Sequence, residues 1–249
     1  MVRLLKDESL TASWQGFFED QCKAEIETLA TEYPEKRSLL IDYWDVDKAD
    51  PKLAELLLHQ PYKAIFNAEE ALKLIDVSSE QKLELHFRVK NIPEAQKILI
   101  RKIRANRLGT FIAVEGLIKK ITEVRPKLQV AAFQCQKCGA VMRIEQDEDI
   151  LKEPSECFED QGGCGRVSSF KLSTTLSLFI DSQKIEIQEN PEGLRGGAQP
   201  ERISVYLEDD LAGRVAPGDR VIVNGILHSV ARHRGAFRLT SFDKTMDAV

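Results

Sequence analysis

Four cysteines, spaced C-x2-C in "CQKCG" (135–139) and C-x6-C in "CFEDQGGCG" (157–165), constrain this chain more than any other feature. If the four thiols meet at one point, the eighteen residues between Cys138 and Cys157 must leave and come back. That length suits a strand, a turn and a return strand, which places both pairs at the same end of a small ribbon. Gly139 and Gly165 follow cysteines, where the turn after a thiolate ligand needs tight backbone of positive φ. Gly162 and Gly163 supply a turn that lets "EDQGG" loop out before Cys164. Four thiolates with no histidine nearby favour a closed tetrahedral site for one structural zinc per chain, held by Cys135, Cys138, Cys157 and Cys164. The rivals are an iron–sulfur cluster, a redox pair and free thiols, although the βαβ pattern that accompanies a redox C-x2-C is missing. A zinc hydrolase or deaminase would show a non-protein ligand or water on the ion.

The hydrophobic period divides the chain. In "SWQGFFEDQCKAEIETLA", Trp14, Phe18, Cys22 and Ile26 recur every four positions and mark one buried helical stripe. Cys22 lies on it and reads as a small buried hydrophobe. Asp50-Pro51 and Pro61 open two further helices, with Leu53, Leu56, Leu57, Ile65, Ala68, Leu72 and Ile75 facing inward. From residue 82 the period becomes two, beginning with Leu83, Leu85, Phe87 and Val89. Strands are expected in "TFIAVEGLIKKITEV", "LQVAAFQC", "VMRIEQ", "SFKLSTTLSLFI", "QKIEIQE", "RISVYLEDD", "DRVIVNGILHSVA" and "AFRLTSF". The fold class is therefore α+β, mainly β in the C-terminal two-thirds. Set apart the cysteine-bearing strands, and the count fits a five-stranded Greek-key barrel of OB type. The expected division is a helical subdomain over 1–90, an OB barrel over 91–131 and 171–249, and a zinc ribbon inserted at 132–170.

Charge is uneven. The net −5 resolves into −6 for residues 1–90, +6 for 91–131 and −5 for the remainder, which points to a local anionic partner. The stretch "QKILIRKIRANRLGTFIAVEGLIKKITEVRPK" sets nine cations against two carboxylates, with cations between apolar positions as on one face of a half-buried sheet. In "LHSVARHRGAFRLTSF", Arg232, Arg234 and Arg238 surround Gly235, and the two alternating runs read as a β-hairpin with an Arg-rich tip suited to phosphates. Solvated strand edges carry such charges too. Aromatics suited to base stacking are few, chiefly Phe111, Phe133 and Phe237, so backbone electrostatics should dominate and sequence specificity should be weak. His59, His86, His228 and His233 read as surface or internally satisfied residues.

Neither G-x4-G-K-[ST], G-x-S-x-G nor H-E-x-x-H occurs, so the sequence offers no active-site motif. No apolar run approaches the roughly 20 residues of a membrane span. "MVRLLKDESL" lacks a signal-peptide core. A cytoplasmic location, associated with the nucleoid, and no membrane partner are expected.

The order of parts, with "EKRSLLIDYWDV", "DPKLAELLL", "IRANRLGTFIAVEGLIKKITEVRP", "AAFQCQKCG", "QENPEGLRGGAQPERI", "LEDDL" and "PGDRVIVNGIL", resembles the N-terminal domain of archaeal-type minichromosome maintenance (MCM) replicative DNA helicases. The resemblance implies a helical bundle, an OB barrel and an inserted zinc ribbon. It also implies hexameric rings whose positive channel binds single- and double-stranded DNA, and zinc ribbons through which two rings can meet head to head. By this analogy the hairpin at Arg232 and Arg234 points into the channel, and Lys120 and Lys184 fall where the family places single-strand contacts. The loop "NPEGLRGGAQPE", with Gly196, Gly197 and Gln199, would carry signals to the ATPase. The family's ATPase part is absent from these residues, so the resemblance implies a fragment that neither hydrolyses ATP nor unwinds DNA by itself. The second cysteine pair is wider than the C-x2-C common in the family. Without the resemblance, the same parts also fit a stand-alone zinc-ribbon and OB protein that binds single-stranded nucleic acid.

Overall fold

The computed structural model describes residues 7–76, 83–146, 150–190, 192, 199–234 and 237–249, apart from the side chains of 233–239. They divide into two compact units, one of Met1–Thr122 with Lys184–Val249 and one of Glu123–Gln183.

The first unit opens with one long helical run: α1 (Glu8–Phe17), a π-helical turn at Phe18–Cys22, and α2 (Lys23–Glu32). The wider turn breaks the regular helical spacing at this point, and Phe17 and Phe18 are both buried beside Trp14, Cys22 and Ile26. Cys22 packs as the small hydrophobe expected, and burial pushes its thiol up to about 12. Then come β1 (Ser38–Asp42), α3 (Tyr43–Ala49), α4 (Pro51–His59), α5 (Pro61–Leu72) and β2 (His86–Lys90). Asp50 caps α4 by accepting the Lys52 N–H at 2.9 Å, and Pro51 and Pro61 each occupy a first turn. β1 and β2 pair in parallel, Ser38 opposite His86 through Asp42 opposite Lys90. Strand β1 and helix α3 were not expected, because five residues of alternation in "SLLID" is too little period to read.

The basic stretch after β2 departs from the expectation of strand. Residues 94–107 contain three single 3-10 turns, Glu94–Gln96, Ile100–Lys102 and Ala105–Arg107. Ile100 and Ile103 are buried while Lys102 and Arg104 are exposed, an in–out rhythm that mimics a strand.

The barrel is made by β3 (Phe111–Ile121), the Lys184–Gln188 part of β7 (Leu178–Gln188), β8 (Arg202–Glu208), β9 (Arg220–Arg234) and β10 (Phe237–Ala248). The order β3-β9-β10-β8-β7 closes because β7 also pairs with β3. The β3–β7, β3–β9 and β9–β10 pairs are antiparallel and β8–β10 is parallel, as in an OB barrel. Ile112, Val114, Ile118, Ile185, Ile187, Ile203, Val205, Leu207, Leu227 and Met246 fill the interior. Phe111, Ala113 and Ile226 point the other way and join the helical core around Trp14, Phe18 and Phe87. β3 is thus buried on both faces over 111–114. Gly116 has no alternative: a Cβ there would run into the Gln188 carbonyl across the closing pair.

The second unit is a small sheet. β4 (Arg125–Cys135) pairs with β5 (Val141–Glu145), with β6 (Phe170–Leu172) and with the first residues of β7. The expected strand "SFKLSTTLSLFI" is broken, since β6 ends at Leu172 and β7 starts at Leu178. Among the described residues, no strand returns from β5 to Cys157. The path is instead held by Gln146, whose side chain donates to the Lys152 carbonyl at 3.1 Å and accepts its N–H at 2.8 Å. Among the described residues, no helix is long and apolar enough to cross a membrane.

Candidate functional site

Cys135 ends β4, Cys138 follows in its turn, and Cys157 and Cys164 lie on the segment before β6. The four Sγ atoms lie within 4.8 Å of one another, and Cys138 and Cys157 are 3.6 Å apart. Tetrahedral thiolates about 2.3 Å from an ion stand roughly 3.8 Å from each other, whereas a disulfide brings sulfurs to about 2 Å. The cluster therefore fits a metal ion, and its cysteines are unpaired. Ala131, Phe133, Met142, Phe158, Phe170 and Leu172 wall it in. Hydrogen bonds led by that of the Ser168 side chain hold Cys135 down to about 6, while burial pushes Cys157 up to about 12. An ion that deprotonated all four would release protons as it bound.

The widened pair has a defined shape. Glu159–Gln161 forms one 3-10 turn, Gly162 ends it at φ +78°, and the Cys164 N–H reaches Cys157 Sγ at 3.3 Å. Gln161 fastens the turn to β5, accepting the Arg143 N–H at 2.8 Å and donating to its carbonyl at 3.2 Å. At Gly163 a Cβ would lie 2.5 Å from Cys157 Sγ, so only glycine lets the backbone pass the thiol.

The barrel carries the second candidate site. A bulge in β3 between Ile118 and Lys120 leaves Lys119 and Lys120 exposed in succession. Lys120 stands opposite Glu186, which also pairs with Arg202 at 2.7 Å. The Lys184 ammonium lies over the Tyr206 ring, 5.3 Å from its centroid. Beside the expected Lys120 and Lys184 stand Lys119, Arg202 and Tyr206, which the sequence pattern does not single out. The "KK" doublet was the available signal for Lys119, but a bulge leaves no mark in the sequence.

β9 and β10 form the expected hairpin, with Arg234 opposite Phe237 and a register shift before Phe242. Arg232 is exposed, and its Nε lies 3.5 Å from Asp243. The Arg234 and Arg238 side chains fall outside the described residues, as do Gly196 and Gly197 of the 190–200 loop. Gln199 is exposed at the end of that loop. Phe111 and Phe133 are buried in separate cores and offer no ring for stacking, and the Phe237 side chain is outside the described set.

Known proteins share this arrangement. The family model described as the MCM OB domain matches residues 98–231. The minichromosome maintenance protein MCM of Saccharolobus solfataricus is 32% identical over 202 residues, which are 77% of this chain and 29% of that protein. DNA replication licensing factor mcm4 of Xenopus tropicalis is 34% identical over 131 residues, 53% of the chain and 15% of that protein. The chain thus spans less than a third of the length of these relatives. A crystal structure titled as the N-terminal domain of an archaeal MCM superposes with a TM-score of 0.82 at 36% identity, covering 98% of this chain and 97% of that one. The family match takes in β3, the whole cysteine unit, β7, β8 and most of β9, and on that extent the chain belongs to the MCM family and carries its OB domain.

Proposed function

We propose that this chain is the DNA-binding and ring-forming region of a replicative helicase, acting through phosphate contacts on its barrel and hairpin and not through chemistry of its own. The observation that carries this is the closed barrel with Lys119, Lys120 and Lys184 exposed at one end of the β3–β7 pair and the long β9–β10 hairpin bearing Arg232, Arg234 and Arg238. Cations on strands spaced along a face neutralise successive phosphates, and few rings are free to read bases, so binding should be salt-sensitive and weakly specific. Both single and double strands should bind. Self-association into a hexamer, able to meet a second ring head to head, is proposed from the family alone.

Zinc is the proposed ion, one per chain. Four thiolates leave no position open for water, so the metal would hold the small sheet together and would not activate a nucleophile. Titrating fluorescent single- and double-stranded oligonucleotides at several salt concentrations tests the proposal. Affinity falling steeply with salt supports it, and no binding at low salt refutes it.

A further inference from the structure

We propose that His86 is a proton-operated clasp that fastens the helical part of the first unit to the barrel through the Asp209–Asp210 turn. His86 is the first residue of β2, and each of its ring nitrogens faces a carboxylate. Nε2 lies 2.7 Å from Asp209 Oδ2, on the 3-10 turn that follows β8, and Nδ1 lies 3.4 Å from Glu69 Oε1 on α5. Ionised carboxylates only accept. A neutral imidazole has one N–H and can serve one of them, whereas the imidazolium donates to both. The arrangement is complete only with the ring protonated.

The rest of the turn is held from the same side. Arg37, just before β1, reaches Asp209 at 3.3 Å. Asp210 accepts from Arg88 of β2 at 2.6 Å and from the Ser38 hydroxyl of β1 at 2.5 Å, and Arg214 approaches it at 3.5 Å. Glu69 also accepts the Phe87 N–H at 3.3 Å. Asp209 has φ +49°, a left-handed conformation that aims its carboxylate at His86 and Arg37 and that few side chains other than Asp and Asn tolerate. Both members of the His86–Asp209 pair are sheltered, with side chains 26% and 18% exposed, so solvent screens them less than a surface pair.

The charges that face His86 do not all favour the imidazolium. Glu69 and Asp209 do, Arg88 on its own strand opposes it, and so does partial burial. The hydrogen bond to Glu69 weighs most, and the balance raises the imidazole above its ordinary value of 6.5. A raised folded-state value means that the clasp contributes fully below 6.5 and loses that contribution as pH rises through the folded value. Above it, the neutral ring must release one carboxylate. None of these contacts belongs to the barrel's own strand pairing, so the consequence is confined to how firmly β1 and β2 are held against the turn.

The test is an NMR titration of the whole chain, with the His86 signal assigned by its loss in His86→Gln. It is combined with hydrogen exchange of residues 38–42 and 86–90 at about pH 6 and about pH 8.5, corrected for intrinsic rate. His86 is expected to titrate above 6.5, and Asp209→Asn to lower that value. Protection of both strands should be several-fold greater at the lower pH in the native chain and independent of pH in His86→Gln. A His86 titration at or below 6.5, or an equal pH effect in His86→Gln, overturns the clasp. Should His86→Gln not fold, the signal is assigned by sequential NMR and the comparison between the native chain and Asp209→Asn decides alone.

Discussion

The Arg101 guanidinium grips the Glu189 carboxylate, with Nε 3.0 and 2.9 Å from its two oxygens and Nη2 2.8 Å from Oε2. The Arg101 N–H adds a bond of 2.8 Å to Oε1, and the Glu201 N–H one of 3.2 Å to Oε2. Since the Glu189 N–H also donates to the Glu201 carbonyl at 3.1 Å, one 5%-exposed carboxylate ties the two ends of the 190–200 loop to each other and to the Ile100–Lys102 turn.

Glu189→Ala should therefore cost more than a surface charge does. Losing charge-assisted hydrogen bonds and leaving Arg101 unpaired gives an expected destabilisation of about 2 kcal/mol, kept low because Arg101 is partly solvated. Arg101→Lys should recover only part, because an ammonium cannot make the forked contact. Urea unfolding checks both. An Arg101→Lys variant as stable as the parent would show that the fork is not what matters.

The cysteine site predicts metal content. Elemental analysis should find one zinc per chain, and Cys157→Ser should lower it. Gly163→Ala should do the same with all four cysteines retained, because the added methyl collides with the Cys157 sulfur. Full metal retention in Gly163→Ala would mean that the widened loop can shift at little cost.

On the hairpin, Arg232→Ala with Arg234→Ala should weaken DNA binding and flatten the dependence of log affinity on log salt. The expected change is about 0.7 per phosphate contact for single strands. Unchanged affinity and slope at low salt would remove the hairpin from the interface.

Stability should fall on both sides of a pH plateau. Asp7, Asp42, Glu189 and Asp210 have carboxyls held below their ordinary values of 3.8 and 4.5. The causes that lower them are, for Asp7, its hydrogen bond to Lys63; for Asp42, that to Asn91; for Glu189, Arg101 against the opposing effect of burial; and for Asp210, Arg88, again against burial. Such groups stabilise above their unfolded values and lose that contribution as pH falls through the folded ones. His86 acts in the opposite sense, losing its contribution above 6.5. Denaturant midpoints from about pH 3 to 9 measure the profile. A midpoint that keeps rising with pH past neutrality would contradict the His86 limb.

Much of this was legible in the residues. Period-two runs marked the barrel strands, Asp50-Pro51 and Pro61 marked α4 and α5, and the cysteine spacing marked the convergence of the four thiols. What escaped has physical reasons. Three 3-10 turns over 94–107 bury Ile100 and Ile103 with nearly the rhythm of a strand. Phe111 and Phe133 looked available for stacking because alternation shows that a side chain points to one face, not whether that face is covered: both faces of β3 are covered at Phe111, and Phe133 on β4 is enclosed in the core of the cysteine unit. The return path to Cys157 depends on Gln146 and Gln161, and polar side chains that fasten loops follow no period. The His86 clasp joins residues 123 positions apart, from His86 to Asp209, and no local pattern encodes such a pair.

Light scattering of the chain with and without a single-stranded oligonucleotide tests the proposed DNA-binding ring. A six-chain mass that takes up DNA at low salt and releases it at high salt is the predicted result. A monomer with DNA and without it would contradict the account and favour a stand-alone nucleic-acid-binding protein.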